Sequence, residues 1–230
     1  MTQAQTILRG RAWNFCPTPD LETLWKNLGQ EDFSGDERLP YWTEIWPAAV
    51  SLSTWLMDHP EKVASRTGLE LGCGQGLIAM VAAFLGAGII GLDYEWPAVL
   101  AARKNSLLNR HSGKPPFFVQ MDWRNPAVLP RSLDFILAGD IFYERRFVEP
   151  IAAFIAHALK PEAKAWLAGP DRNTCNFFAE AVERFGWSCR LIQTETVPPG
   201  PRRTAGVVIH IWELYKGEFD GTDRHPGGKA

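Results

Sequence analysis

The sequence predicts a doubly wound α/β fold. Seven strands, mostly parallel, carry helices on both faces, with one antiparallel strand near the C-terminus and a helical extension at the N-terminus. Three observations carry this. From residue 67 onward, short apolar runs alternate with stretches of helical length, the pattern of a parallel sheet covered on both faces. The first run leads directly into a turn with glycine at 72, 74 and 76. The last two runs, CRLIQTETV (189–197) and GVVIHIWELYK (206–216), are joined only by PPGPRRTAG and so pair antiparallel.

The elements follow in order. In TPDLETLWKNLG, Thr18 as N-cap, Pro19 at the first helical position and Gly29 as the stop predict a short helix. Pro47 starts a second helix that ends before Pro60, with Val50, Leu52, Trp55 and Leu56 as its apolar stripe. GLELG is the first strand of the main domain, followed by a helix over 77–86 that stops at Gly86. AGIIGLD is the next strand, then a helix over 95–109 and the strand PFFVQMD. LDFILAGD precedes a helix over 145–159, and AKAWLAGPD precedes one over 174–185. Right-handed crossovers then place the strands in one sheet of Rossmann-like layout. The expected division is an extension over 1–40, a main domain over 41–216 and a loose tail, GEFDGTDRHPGGKA, over 217–230.

Bulk composition narrows the function. A chain of 230 residues with 46% hydrophobic content builds one domain with a sizeable core. A net charge of −2 gives no electrostatic footprint for nucleic acid. Cys16, Cys73, Cys175 and Cys189 show neither CxxC nor metal-site spacing, so reduced thiols and no metal centre are expected. No apolar run reaches the roughly 18 residues of a membrane span. The expectation is a soluble, cytoplasmic monomer that acts on neither membrane nor nucleic acid.

The glycines indicate a ligand. In an open parallel sheet, ligands bind beyond the carboxyl ends of the strands, beside the first glycine turn. Gly72, Gly74 and Gly76 follow G-x-G-x-G; the dinucleotide fingerprint would need glycine at Leu77 instead, and no P-loop Lys-Ser/Thr is present. The spacing suits a nucleoside-like ligand without phosphates. Asp93, closing the next strand, is placed to accept both protons of a ribose diol. Asp122, closing the third, is placed to accept a hydrogen bond from an adenine amino group, with Trp123 as an apolar wall. Each feature has a plainer reading, as a tight turn or a helix cap, but the three fall in order at the ends of three consecutive strands.

On these residues the sequence resembles the class I, seven-β-strand S-adenosylmethionine-dependent methyltransferases, with ELGCGQG (70–76) as their first motif. YWTEIWP (41–47), MDW (121–123) and GDIFYE (139–144) further resemble methyltransferase family 16, whose members mostly methylate protein lysines. GDIFYE and YWTEIWP look closest to the subgroup acting on the electron transfer flavoprotein β-subunit. The resemblance implies S-adenosylmethionine as cofactor, its demethylated product S-adenosylhomocysteine, and a protein with a target lysine as partner. It implies that Glu70 reaches towards the methionine amine and that the aminocarboxypropyl arm and ribose lie against Gly72 to Gly76. Trp42 and Trp46 would then flank the entrance and cover the cofactor.

Methyl transfer from a sulfonium to lysine needs alignment, desolvation and a neutral amine. In Asp140-Ile141-Phe142-Tyr143, the resemblance assigns the acceptor to Asp140, which orients the amine, and Tyr143, whose ring supports the methylated cation. The plainer reading makes Asp140 a helix cap and Tyr143, with Phe142, packing. Three alternatives stand beside lysine methylation: a small-molecule methyltransferase, a non-catalytic module of the same fold, and, disfavoured by the glycine spacing, a nicotinamide oxidoreductase. The Asn-Pro-Pro-Tyr signature of amide and base methylation is absent.

Overall fold

The structure is a computed structural model that describes residues 4–19, 40–111, 113–170, 174–198 and 205–217. Of the helix predicted from Thr18 to Gly29, residues 20–29 lie outside the described residues, as does the tail beyond residue 217. The described residues begin with a hairpin that the sequence reading missed, β1 (Ala4–Leu8) paired antiparallel with β2 (Arg11–Phe15). Its two-residue turn, Arg9-Gly10, has positive φ at both positions (45° and 79°), the turn whose twist matches a hairpin. Leu8, Trp13 and Phe15 face inward and are buried.

The main sheet has the order β5-β4-β3-β6-β7-β9-β8. Its strands are β3 (Thr67–Leu71), β4 (Gly88–Asp93), β5 (Phe117–Gln120), β6 (Leu133–Gly139), β7 (Leu159–Pro170), β8 (Ser188–Val197) and β9 (Val207–Tyr215). All neighbours are parallel except β9, which runs opposite to both β7 and β8. The predicted reversal is therefore present, and β9 is inserted between β7 and β8. The strand order reverses at β3, between β4 and β6, which opens a crevice at the strands' carboxyl ends.

Helices α1 (Pro47–Asp58), α2 (Leu77–Phe84) and α3 (Trp96–Leu108) connect the first half, and α4 (Val148–Ala158) and α5 (Thr174–Arg184) the second. On one face α1 and α2 bury Leu52, Leu56, Ile78 and Met80 together with the hairpin's Trp13 and Phe15. On the other, α4 and α5 bury Ile151, Phe154, Ile155 and Val182 against Ile136 and Leu167. The helix expected over 145–159 begins as a short 3-10 turn, Arg145–Phe147, and becomes α-helical at Val148. Pro150 is tolerated there because the first turn leaves its amides unpaired anyway.

Between β7, β8 and β9 lies an ionic knot of a buried carboxylate and two half-exposed cations. Glu213, 3% exposed, accepts from Lys164 Nζ at 2.9 Å, Arg190 at 2.7 Å and Trp166 Nε1 at 3.0 Å. Burial pushes its carboxyl up, and these donors more than reverse that, so its pKa ends below the usual range.

Candidate active site

The loop after β3 forms the floor of a cleft. Cys73 N–H donates to Leu92 O on β4 (2.8 Å) and Gly76 N–H to Cys73 O (2.7 Å), folding the loop back on itself. Gly72, Gly74 and Gly76 all have positive φ (64°, 49° and 82°), a region that costs other residues about 1–2 kcal/mol. Their surroundings differ. A Cβ on Gly72 would lie 3.0 Å from Ile141 Cγ2, and one on Gly74 would project beneath Trp42, 3.8 Å from its Cα. Gly76 does not line the cleft. A Cβ there would press on Ala102 (2.9 Å) and the Phe118 ring (3.0 Å), so this glycine serves the packing of α3 and β5 against the loop.

Asp93 ends β4 behind the floor. Its Oδ2 accepts the Gly74 amide (2.8 Å) and its Oδ1 the Glu95 amide (3.0 Å), so the loop and the start of α3 are both pinned to it. Burial raises its pKa to about 6, against the pull of those amides. Glu70 is 2% exposed and accepts the Ala79 amide of α2 at 2.8 Å, so its carboxylate acts as a helix cap at the cleft wall. Burial pushes its pKa well above the usual carboxylate range, as it does for the Cys73 thiol, which is therefore no nucleophile.

Asp122 and Trp123 follow β5. Asp122 holds Arg124 through Nε (2.9 Å) and a terminal nitrogen (2.8 Å), and that guanidinium lies 5.5 Å from the Tyr94 ring. Trp123 packs edge-on to Phe147, ring centroids 5.6 Å apart. The roof is the 3-10 turn Tyr41–Thr43 with Trp46, whose indole donates to Tyr41 O (2.8 Å) as α1 begins.

Asp140 and Tyr143 follow β6. Asp140 has φ of 55°, and its amide donates to Ala168 O on β7 (2.7 Å). It heads a turn in a strained conformation, not a helix, which displaces the plain helix-cap reading. The Tyr143 ring sits between Tyr41 (5.1 Å) and Phe147 (5.3 Å), both edge-to-face, and burial pushes its hydroxyl pKa up. Phe142 is buried against Phe178, as packing predicts.

One cleft thus gathers Trp42, Trp46, Glu70, Gly72, Gly74, Asp93, Asp122, Trp123, Asp140 and Tyr143; of the predicted site residues only Gly76 stands outside. Sequence reasoning missed Tyr41, Glu44, Gln75, Tyr94, Arg124 and Phe147, all in its lining. Tyr41 and Glu44 lie inside YWTEIWP and Gln75 inside ELGCGQG, so the motifs themselves held that signal. Six carboxyl groups line the cleft (Glu44, Glu70, Asp93, Glu95, Asp122 and Asp140) against two guanidiniums, Arg124 and Arg146. With Glu70 held towards its neutral form by burial and Asp122 paired with Arg124, the remaining acidic groups still favour cationic ligands. Among the described residues no cluster of His, Cys, Asp or Glu forms a metal site, and no helix is long and apolar enough to cross a membrane.

A family model described as lysine methyltransferase matches residues 36–184. The electron transfer flavoprotein beta subunit lysine methyltransferase of Xenopus laevis is 31% identical over 146 residues, 63% of this chain and 57% of that protein. Its Danio rerio counterpart is 32% identical over 111 residues, 48% and 42% of the two chains. The histone-arginine methyltransferase METTL23 of Xenopus laevis is 31% identical over 131 residues, 55% and 56%. The chain spans about half the length of these curated relatives. Among solved structures, precorrin-6y C5,15-methyltransferase from Geobacter metallireducens superposes with a TM-score of 0.59 at 16% identity, covering 82% of this chain and 96% of that one. Magnesium protoporphyrin IX methyltransferase from Synechocystis, with bound S-adenosylhomocysteine, gives 0.57 at 16% identity over 74% and 81%. These structural likenesses establish the fold.

Proposed function

The chain belongs to the lysine methyltransferase family, and on that premise we propose that it transfers methyl groups from S-adenosylmethionine to lysine side chains of a protein, an electron transfer flavoprotein subunit foremost. The observation that carries this reading is the meeting of two sets of residues in one cleft. Gly72, Gly74 and Asp93 lie at the ends of β3 and β4, and Asp140 and Tyr143 at the end of β6 beside them.

The residues fit the cofactor. The floor leaves backbone bare where side chains would close the space, and buried Asp93 has oxygens that can accept from a diol while holding the loop. Asp122 and Trp123 suit an adenine edge and face, and Trp42 and Trp46 cover the arm. Bound S-adenosylmethionine supplies a methyl carbon made electrophilic by its sulfonium. The chain's own residues do the rest. The carboxylate of Asp140 accepts hydrogen bonds from the acceptor amine and turns its lone pair into the cleft. Tyr41, Tyr143 and Phe147 line the way with rings that tolerate both the aliphatic stem and a methylated ammonium. The rings also keep water from the amine, lowering the cost of its neutral form. Glu70, held by the Ala79 amide at the cleft wall, supports the floor and reaches towards the methionine amine.

The test is to incubate the purified protein and S-adenosylmethionine with electron transfer flavoprotein β-subunit, then record intact and peptide masses. Methyl increments on one lysine support the reading. An unmodified subunit beside a methylated lysine in another protein moves the acceptor; methylation of arginine or of small molecules alone overturns it.

A further inference from the structure

Four segments distant in sequence meet in one ring of hydrogen bonds beside the cleft floor. Gln75 Nε2 donates to the Thr43 carbonyl at 2.6 Å, and Thr18 Oγ1 donates to the same carbonyl at 2.8 Å. The Gln75 carbonyl accepts Asn105 Nδ2 at 3.0 Å, and Asn105 Oδ1 accepts the Cys16 amide at 2.7 Å. Cys16 and Thr18 are separated only by Pro17, so the ring closes through the chain itself. Gln75 and Asn105 are buried, and a lost partner there would leave a polar group without water or protein to satisfy it. One turn further along α3, Asn109 exchanges bonds with both backbone groups of Asn14 (2.8 and 2.7 Å), which fixes β2 to the same helix.

The ring has a direction towards the chemistry. Gln75 belongs to the glycine loop and lines the cleft. Thr43 closes the 3-10 turn that carries Tyr41 and Trp42, and Tyr41 touches Tyr143. The Gln75–Thr43 bond is therefore a direct link between floor and roof. We propose that Gln75 is a positioning residue that latches the roof over the cofactor, with the N-terminal segment, through Cys16 and Thr18, as the second half of the latch. The proposal rests on the cofactor reading above and adds what controls cofactor residence. With the latch made, Tyr41 and Trp42 stay over the floor and a bound ligand leaves only when the turn lifts. With it broken, the turn lifts independently of the loop, and ligand escapes sooner.

Two near-isosteric variants remove one donor each: Gln75→Met and Thr18→Val. Calorimetry gives the S-adenosylhomocysteine Kd, stopped-flow tryptophan fluorescence its off-rate, and steady-state kinetics the split between KM for the cofactor and kcat. Gln75→Met should raise Kd and off-rate about tenfold, the effect of one buried hydrogen bond, and Thr18→Val by about threefold. KM for the cofactor rises in step, and by more than kcat falls. A residue that served folding alone would lower the melting temperature and leave the off-rate of the folded fraction as in the wild type. Wild-type binding with unchanged off-rates in both variants overturns the latch alone. Failure of the wild-type protein to bind S-adenosylhomocysteine overturns the cofactor reading and the latch with it.

Discussion

Asp93 should make cofactor affinity depend on pH in a window set by its burial. Its carboxyl is raised from 3.8 to about 6 in the folded protein, so about nine-tenths is ionised at pH 7 and about one-tenth at pH 5. Only the carboxylate can keep the Gly74 and Glu95 amides and accept both protons of a diol. S-adenosylhomocysteine affinity should therefore fall about tenfold from pH 7 to pH 5. The unliganded protein should move the other way. The unfolded carboxyl loses its proton first, so stability falls as pH rises from about 4 to about 6. The two values lie about 2 pH units apart, so the loss is about 3 kcal/mol. Asp93→Asn should bind more weakly at pH 7, lose the affinity dependence, and show a shallower fall of stability with pH; Glu70, also pushed up by burial and in part by the Asp93 charge, leaves a residual slope in both proteins. Calorimetric titrations and chemical denaturation at half-unit pH steps measure both curves. A wild-type affinity that is flat between pH 5 and 7, or an equal slope in Asp93→Asn, would refute the assignment.

Gly76→Ala combines positive φ, about 1–2 kcal/mol, with overpacking against Ala102 and Phe118, about 1–3 kcal/mol. The sum corresponds to a melting temperature lower by roughly 5–15 °C; an unchanged melt would disprove the packing role. Asp140→Gly relieves its left-handed conformation, and because glycine's freedom in the unfolded chain offsets that relief, stability should change by less than about 1 kcal/mol. Cofactor binding should persist and methyl transfer disappear, and retained transfer would remove Asp140 from the acceptor site. Glu213→Ala leaves Lys164, Arg190 and Trp166 without their shared acceptor; because both cations are more than a third exposed and stay hydrated, the loss in denaturant should be about 1–2 kcal/mol, and an unchanged midpoint would make the knot incidental.

The main sheet was legible because its signals are local and strong. Apolar runs such as AGIIGLD and LDFILAGD are buried on both faces, and punctuation by Gly86, Pro47 and Pro60 fixed the helix ends to within a few residues. The hairpin was not, because its turn is Arg9-Gly10 without the usual Asn or Asp, and its second strand hides Trp13 and Phe15 in an otherwise polar stretch. The site residues announced themselves at strand ends, where chain direction alone brings them together. What each one holds depends on contacts across the fold. Glu70 finds an amide on α2, Gly76 faces the Phe118 ring, and Gln75 reaches the Thr43 carbonyl thirty-two residues earlier in the chain. No spacing rule predicts partners at that separation.

Methyl transfer from S-adenosylmethionine to a protein lysine in this cleft can be read in one experiment. Its most direct measurement uses methyl-labelled S-adenosylmethionine, the purified protein and its own cell extract, followed by hydrolysis of the labelled protein and separation of the amino acids. Label should appear in methylated lysine and be lost when Asp140→Ala replaces the wild type. Label in methylarginine, or label that never enters protein, would contradict it.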